Sequence, residues 1–179
     1  MILYHGTDEI SARDICCNGI DLSKSRQNVD FGRGFYLTDD ESQARKWSER
    51  KAFLTGENVA ARLIMVDLDF HSATKMAQVK IFQNPDLEWA QFVINNRCGL
   101  EYASKISNSD HNRDAKYDIV VGKIADGSVG KIAAMLKRAA RPISVAEARF
   151  LMKESFPCQY SLHTPKALSL IQAVAITGR

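Results

Sequence analysis

Phe31-Gly32-Arg33-Gly34-Phe35-Tyr36-Leu37-Thr38 is the stretch on which the fold of this chain turns. Two glycines flank an arginine, and residues of strand composition follow from Gly34 to Thr38. Successive strand residues point to opposite faces, so one of Phe35 and Tyr36 enters a core while the other lines a cleft. The glycines do not spell Gly-x-Gly-x-x-Gly, and the chain has no Gly-Lys-Ser/Thr loop. A dinucleotide bound here is held without either of those phosphate cradles. Trp47 follows eleven positions after Tyr36, on the helix expected next. Strand, turn and helix folding back set the two rings against each other, with room between them for a flat heteroaromatic. Such stacking is worth about 0.5–1.5 kcal/mol beyond area burial. The plainer alternative is that both are core aromatics.

Working outward, residues 2–5 read as a short buried strand, and Thr7 or Asp8 caps a helix that Gly19 ends. Residues 20–33 are polar and turn-rich. Asp40 starts a helix over 41–54, with Gln43 placed for a capping box and Ala44, Trp47 and Leu54 on a common face. Residues 59–68 form the clearest strand. Asn84-Pro85 opens a helix burying Leu87, Ala90, Val93 and Ile94. Tyr117 to Gly122 is a short apolar strand. Two helices follow, the first with Val129, Ile132, Ala133 and Leu136 inward and the second starting at Ser144 with Glu147 as its capping box. Residues 158–162 are a strand, Thr164-Pro165 starts a short helix, and 173–177 are a last strand. Strands scattered among inserted helices predict an α+β domain rather than a doubly wound parallel sheet.

The chain has 179 residues, the size of a single domain spanning 1–179. A chain of that length buries roughly 70% of its unfolded surface and needs no metal or disulfide to hold it. With 24 basic and 21 acidic residues the net charge is +3, too small to predict nucleic-acid or membrane binding by itself. Cys16, Cys17, Cys98 and Cys158 form no Cys-x-x-Cys pair and read as free, mostly buried thiols in a reducing compartment. No stretch is apolar enough to span a bilayer, and Met1 to His5 lacks the pattern of a Sec signal. The expectation is a cytoplasmic protein with no membrane partner and no metal.

Two further segments carry chemistry. In Tyr4-His5-Gly6-Thr7 a hydrogen-bonding ring adjoins bare backbone, which a planar ligand can approach closely; a turn glycine beside a core histidine is the bland alternative. In Cys158-Gln159-Tyr160-Ser161-Leu162 one amide stands among apolar neighbours, for which a structural hydrogen bond is the bland explanation.

Together, in this order, the three segments resemble the ADP-ribosyltransferase superfamily. The nearest branch is the diphtheria-toxin and poly(ADP-ribose)-polymerase type with its His-Tyr-Glu pattern. With Tyr117-Asp118-Ile119-Val120-Val121-Gly122-Lys123-Ile124-Ala125-Asp126 included, the chain is similar to a group of small uncharacterised bacterial proteins placed in that superfamily. The resemblance runs from residue 2 to about residue 172. It implies two small, mostly antiparallel sheets with a central cleft and peripheral helices, and NAD⁺ as co-substrate. His5 and Tyr36 would both open into that cleft. His5 would bond the adenosine ribose, Gly6 would hold the nicotinamide carboxamide through its backbone, and Tyr36 would stack on the nicotinamide. Trp47 would be the second stacking ring, and Ala44 replaces a serine that often binds the carboxamide. Thr7, Thr38, Arg26, Arg33 and Gly34 would assist, the arginines at the pyrophosphate.

The departure is Gln159, which stands where the family carries its catalytic glutamate. Nicotinamide leaves through an oxocarbenium-like state, positive at the ribose. A carboxylate about 4 Å away stabilises that charge by about 4 kcal/mol at an effective dielectric near 20. Glutamine forfeits that attraction but still accepts a bond from the ribose 2′-hydroxyl. Asp39, Asp126 and Glu154 are candidate substitutes for the charge. Relatives with a non-acidic third residue look like mono-transferases, so the resemblance implies transfer of one ADP-ribose to a protein or nucleic-acid acceptor. A toxin, with an antitoxin as partner, is the analogy drawn from the fold. The rival expectations are a catalytically impaired NAD⁺ or ADP-ribose binding module, and a nucleic-acid-binding domain resting on Lys131, Lys137, Arg138 and Arg141. Those four fit the solvated face of an amphipathic helix better.

Overall fold

The computed structural model describes residues 1–106, 109–125, 127–151 and 157–177. In chain order its elements are β1 (Ile2–Asp8), α1 (Glu9–Asn18), β2 (Phe35–Thr38), α2 (Glu41–Thr55), β3 (Ala61–Leu68), α3 (Phe70–Met76), β4 (Val79–Ile81), α4 (Leu87–Cys98), α5 (Leu100–Ala103), β5 (Ile119–Lys123), α6 (Val129–Ala139), α7 (Val145–Ala148), β6 (Cys158–Leu162), α8 (Pro165–Leu168) and β7 (Ile171–Thr177). Side-chain caps set most helix starts. Asp8, Asp40, Asp69 and Asp86 each accept from the backbone N–H three residues on, satisfying donors that a helix leaves unpaired. Ser144 and Glu147 form a reciprocal capping box, and Thr164 caps a helix with Pro165 in its first turn.

The domain is α+β, as expected, but the described strands form one sheet of seven, in the order β4-β5-β6-β2-β1-β3-β7, and not two. Every pairing is antiparallel except β4 with β5. The two expected halves do exist within that sheet. β1 pairs with β3 along all of its residues from Ile2 to Asp8, whereas β1 meets β2 at the single pair Tyr4↔Thr38. That one pair fuses what the resemblance implies as separate sheets.

Helices cover both faces. On one face a continuous core joins the two halves: Leu3 and Ile64 from one, Phe35, Leu37, Val121 and Leu162 from the other, with Ala12, Ala73 and Ala167 brought by α1, α3 and α8. On the other face Phe31, Phe82, Trp89, Phe92, Val120 and Leu136 pack α4 and α6 onto the β5 side, and α2 covers β1. The seat of α2 differs from expectation. Its buried residues are Ala44, Ser48 and Ala52, while Trp47 and Leu54 are 50% and 65% exposed. Gly6 gives the reason: a Cβ there would lie 1.9 Å from the Ala44 carbonyl oxygen. So close an approach of helix to strand admits small side chains between them and turns large ones outward.

All four cysteines are free, but Cys16 and Cys17 are exposed and Cys158 partly so. Only Cys98 is buried, which pushes its thiol up to about 11. Among the described residues no helix is long and apolar enough to cross a membrane, and no three His, Cys, Asp or Glu side chains are grouped to hold a metal.

Candidate functional site

The sheet opens where its ladder is thinnest. Past Tyr4↔Thr38, β1 continues through His5 to Asp8 and β2 runs back to Phe35, with no register pair between them. The His5 imidazole spans the mouth of this gap. Its Nδ1 lies 2.7 Å from the Tyr36 carbonyl oxygen, and since a carbonyl only accepts, Nδ1 carries the proton. Burial lowers the His5 pKa, which favours the neutral ring. Nε2 is then a lone-pair acceptor, and it has no hydrogen-bond partner among the described residues. The ring lies against Phe35, with centroids 4.5 Å apart.

The expected common cleft for the His5 and Tyr36 side chains is not what this arrangement builds. Strand alternation sends the Tyr36 ring to the opposite face of β2 from Phe35, where it packs beside the core under α4 and α6. His5 meets Tyr36 through the backbone carbonyl instead. The Tyr36 hydroxyl is also occupied: it accepts from the Phe31 N–H at 3.0 Å and donates to the Gly32 carbonyl at 2.7 Å. Tyr36 therefore clasps the glycine-rich loop that precedes its own strand. Burial, and then the nearby Asp30 charge, push its pKa well above the ordinary value, so the hydroxyl stays a donor.

Tyr36 and Trp47 make no ring contact among the described residues. Trp47 lies under the Arg50 guanidinium, 5.5 Å from ring centroid to Cζ. It lines an open cleft of about 460 Å³ with Lys46, Arg50, Arg97, Ala125 and Gly130. The cleft separates α2 from the β5–α6 connection. The other predicted residues lie around these features. Thr7 is buried. Thr38 Oγ1 donates to the Cys158 carbonyl and accepts from the Asp40 N–H. Gly34 lies so close to His163 that a Cβ would come within 2.7 Å of its Nδ1. Arg26 and Arg33 are exposed, in or beside the loop that Tyr36 holds.

Gln159 is buried, at 7% exposure, opposite Thr38 on one side and Gly122 on the other. Its Nε2 donates to Asp30 Oδ2 at 2.9 Å and to the Lys123 carbonyl at 3.3 Å. Asp30 is the residue that the sequence reading missed. Its Oδ1 takes two bonds from Arg97, at 2.9 and 2.6 Å, and its Oδ2 also accepts from the Ala125 N–H at 3.2 Å. An acid between Val29 and Phe31, just ahead of the glycine pair, was its only signal. Of the carboxylates named as substitutes for the missing charge, Asp39 is exposed, and Asp126 and Glu154 lie outside the described residues.

A second polar pair lies within the sheet. Ser161 Oγ is 2.8 Å from His163 Nε2, and His163 Nδ1 is 2.7 Å from the Arg33 carbonyl. Both residues are sealed, at 0% and 5% exposure, and burial lowers His163 to about 4. From there His163 holds the Arg33 backbone in place. Lys131, Lys137, Arg138 and Arg141 are exposed, and Arg141 is engaged by Glu147.

No curated protein and no solved structure matches the chain. A family model described as "Protein of unknown function (DUF3990)" matches residues 1–173, and the chain belongs to that family.

Proposed function

We propose that this chain is a NAD⁺-using mono-ADP-ribosyltransferase that acts on a protein or nucleic-acid acceptor. The observation that carries the reading is convergence. His5, Tyr36 and Gln159 are far apart in the sequence, yet they fall on the adjacent strands β1, β2 and β6 around the one thin join in the sheet. Two of them offer unengaged acceptors on opposite faces of the sheet beside that join, Nε2 of His5 against Phe35 and Oε1 of Gln159 on the Thr38 face. Both suit sugar hydroxyls, which donate. In this reading the adenosine end lies at His5 in the gap, and the nicotinamide end lies towards Trp47. Lys46 and Arg50 on the cleft wall supply positive potential for phosphates.

The bond that breaks joins the ribose C1′ to the nicotinamide nitrogen. Its electron pair leaves with neutral nicotinamide. The acceptor's lone pair forms the new bond at C1′, and the acceptor's proton goes to solvent. A toxin with an antitoxin partner is the biological setting proposed for this chemistry, by analogy of fold alone.

Incubating the protein with NAD⁺ and a cell lysate should release nicotinamide and leave an ADP-ribose mass shift on an acceptor. Trp47→Ala should weaken NAD⁺ binding by about 1–3 kcal/mol while barely moving the melting temperature, since that ring is half exposed. Tight NAD⁺ binding with no nicotinamide released would turn the reading to a binding module, and no binding at all would end it.

A further inference from the structure

Asp30 and Gln159 form a pair whose geometry fixes which way the glutamine amide faces. A carboxylate oxygen and a backbone carbonyl both only accept, and both lie within bonding distance of one end of the Gln159 side chain. That end must be the NH₂ group. The other end, Oε1, is then turned away from both and accepts no bond among the described residues. A glutamine free to flip would present a donor half of the time. This one presents an acceptor, the property it shares with a glutamate.

Asp30 is itself held from three directions, by Arg97 on α4, by the Ala125 N–H after β5, and by Gln159 on β6. It is 5% exposed, so little solvent screens its charge from the amide. A carboxylate accepting from one end of an amide draws the N–H proton and increases the negative charge on the carbonyl oxygen, as hydrogen bonds in a chain polarise one another.

We propose that Asp30 and Gln159 divide between them the work of a single catalytic carboxylate. Gln159 supplies the acceptor that touches the ribose hydroxyl. Asp30 is a positioning residue that supplies the negative charge and locks the amide. This inference rests on the transferase reading above.

The geometry also reverses a simple expectation for Gln159→Glu. A carboxylate installed there faces the Asp30 carboxylate across the 2.9 Å now spanned by a hydrogen bond, and Arg97 is already committed to the other Asp30 oxygen. Restoring the family's residue alone therefore harms the site.

The test is a four-protein cycle: parent, Asp30→Asn, Gln159→Glu, and the swapped pair Asp30→Asn with Gln159→Glu. Each is measured for melting temperature, NAD⁺ affinity and steady-state nicotinamide release. Both single variants should lose at least about tenfold in kcat, the scale of a charged hydrogen bond, with KM for NAD⁺ changed less than about threefold. The swapped pair should regain at least about threefold of the kcat lost by Gln159→Glu, because the amide of Asp30→Asn can donate to the new carboxylate. It should stay below the parent, since the Lys123 carbonyl and the Ala125 N–H lose matched partners. A purely structural contact would restore the melting temperature in the swapped pair but not kcat, and that result overturns the proposal while leaving the transferase reading standing. Parent-like kcat in Asp30→Asn also overturns it. A parent that binds NAD⁺ without releasing nicotinamide, or does not bind it, removes the transferase reading and this inference with it. The melting temperatures then show only that the two residues pair in the fold.

Discussion

Replacing Tyr36 by Phe keeps the ring and removes one oxygen, and the structure makes that oxygen a clasp. It accepts from the Phe31 N–H and donates to the Gly32 carbonyl, and both residues are buried. Each bond contributes about 0.5–1.5 kcal/mol net, with more lost where the orphaned group stays dry. Together they predict a loss of about 2 kcal/mol. For a domain of this size that lowers the melting temperature by about 4–8 °C. The loss should be local as well as global, so trypsin should cut faster after Arg26 and Arg33, which flank the clasped residues. NAD⁺ affinity should fall too, although a pure stacking role would leave Tyr36→Phe equal to the parent. The high-pH limb gives a second reading. The folded phenol holds its proton well above the ordinary 10.0, so above that pH the unfolded chain releases a proton that the folded chain keeps. Stability should fall there in the parent, and this contribution should be absent in Tyr36→Phe. A variant melting within about 1 °C of the parent, with unchanged cleavage at Arg26 and Arg33, would refute the clasp.

Gly6→Ala should destabilise the fold by about 1–3 kcal/mol or more, because its Cβ has no room against α2. Gly130→Ala, which meets nothing within 4 Å, is the matched control and should be close to neutral by urea denaturation. His163 should weaken the fold in acid. Its folded pKa of about 4 lies below the ordinary 6.5, so the folded state is favoured above pH 6.5 and loses that advantage as pH falls towards 4. The difference is worth about 3 kcal/mol. Urea titrations at stepped pH should show the decline, smaller in His163→Gln, and an imidazole NMR titration near 6.5 would contradict it.

The element order was largely legible in the sequence because its signals are local. Asp8, Asp40, Ser144 and Thr164-Pro165 start helices where the chain says they should, and Gly19 stops one. Other features were not legible in this way. The inward face of α2 was misread because Trp47 and Leu54 outweigh Ala44, Ser48 and Ala52 in hydrophobicity, while the deciding fact is a glycine on another strand. The short elements α3 and β4 were missed because they carry too few residues to show a period. Asp30 was missed because its role depends on Arg97, Ala125 and Gln159, which are remote in sequence. The segments carrying His5, Tyr36 and Gln159 were found, yet the division of the Tyr36 and His5 rings between opposite faces follows from strand pairing that no motif encodes.

The single Tyr4↔Thr38 pair has a mechanical meaning. Behind it the apolar layer formed by Leu3, Phe35, Leu37 and Ile64 runs unbroken from one half of the sheet to the other. In front, α2 stands on one half, and α4 and α6 stand on the other. The domain is thus bound like a book, with a packed spine and two covers whose separation sets the width of the cleft. A seam of one pair resists bending far less than the long β1–β3 ladder beside it, so any motion between the covers would concentrate on that line. Among the described residues, the His5 imidazole bonded to the Tyr36 carbonyl is the one side-chain stitch across its mouth. Whatever draws on the other side of that ring pulls directly on the hinge.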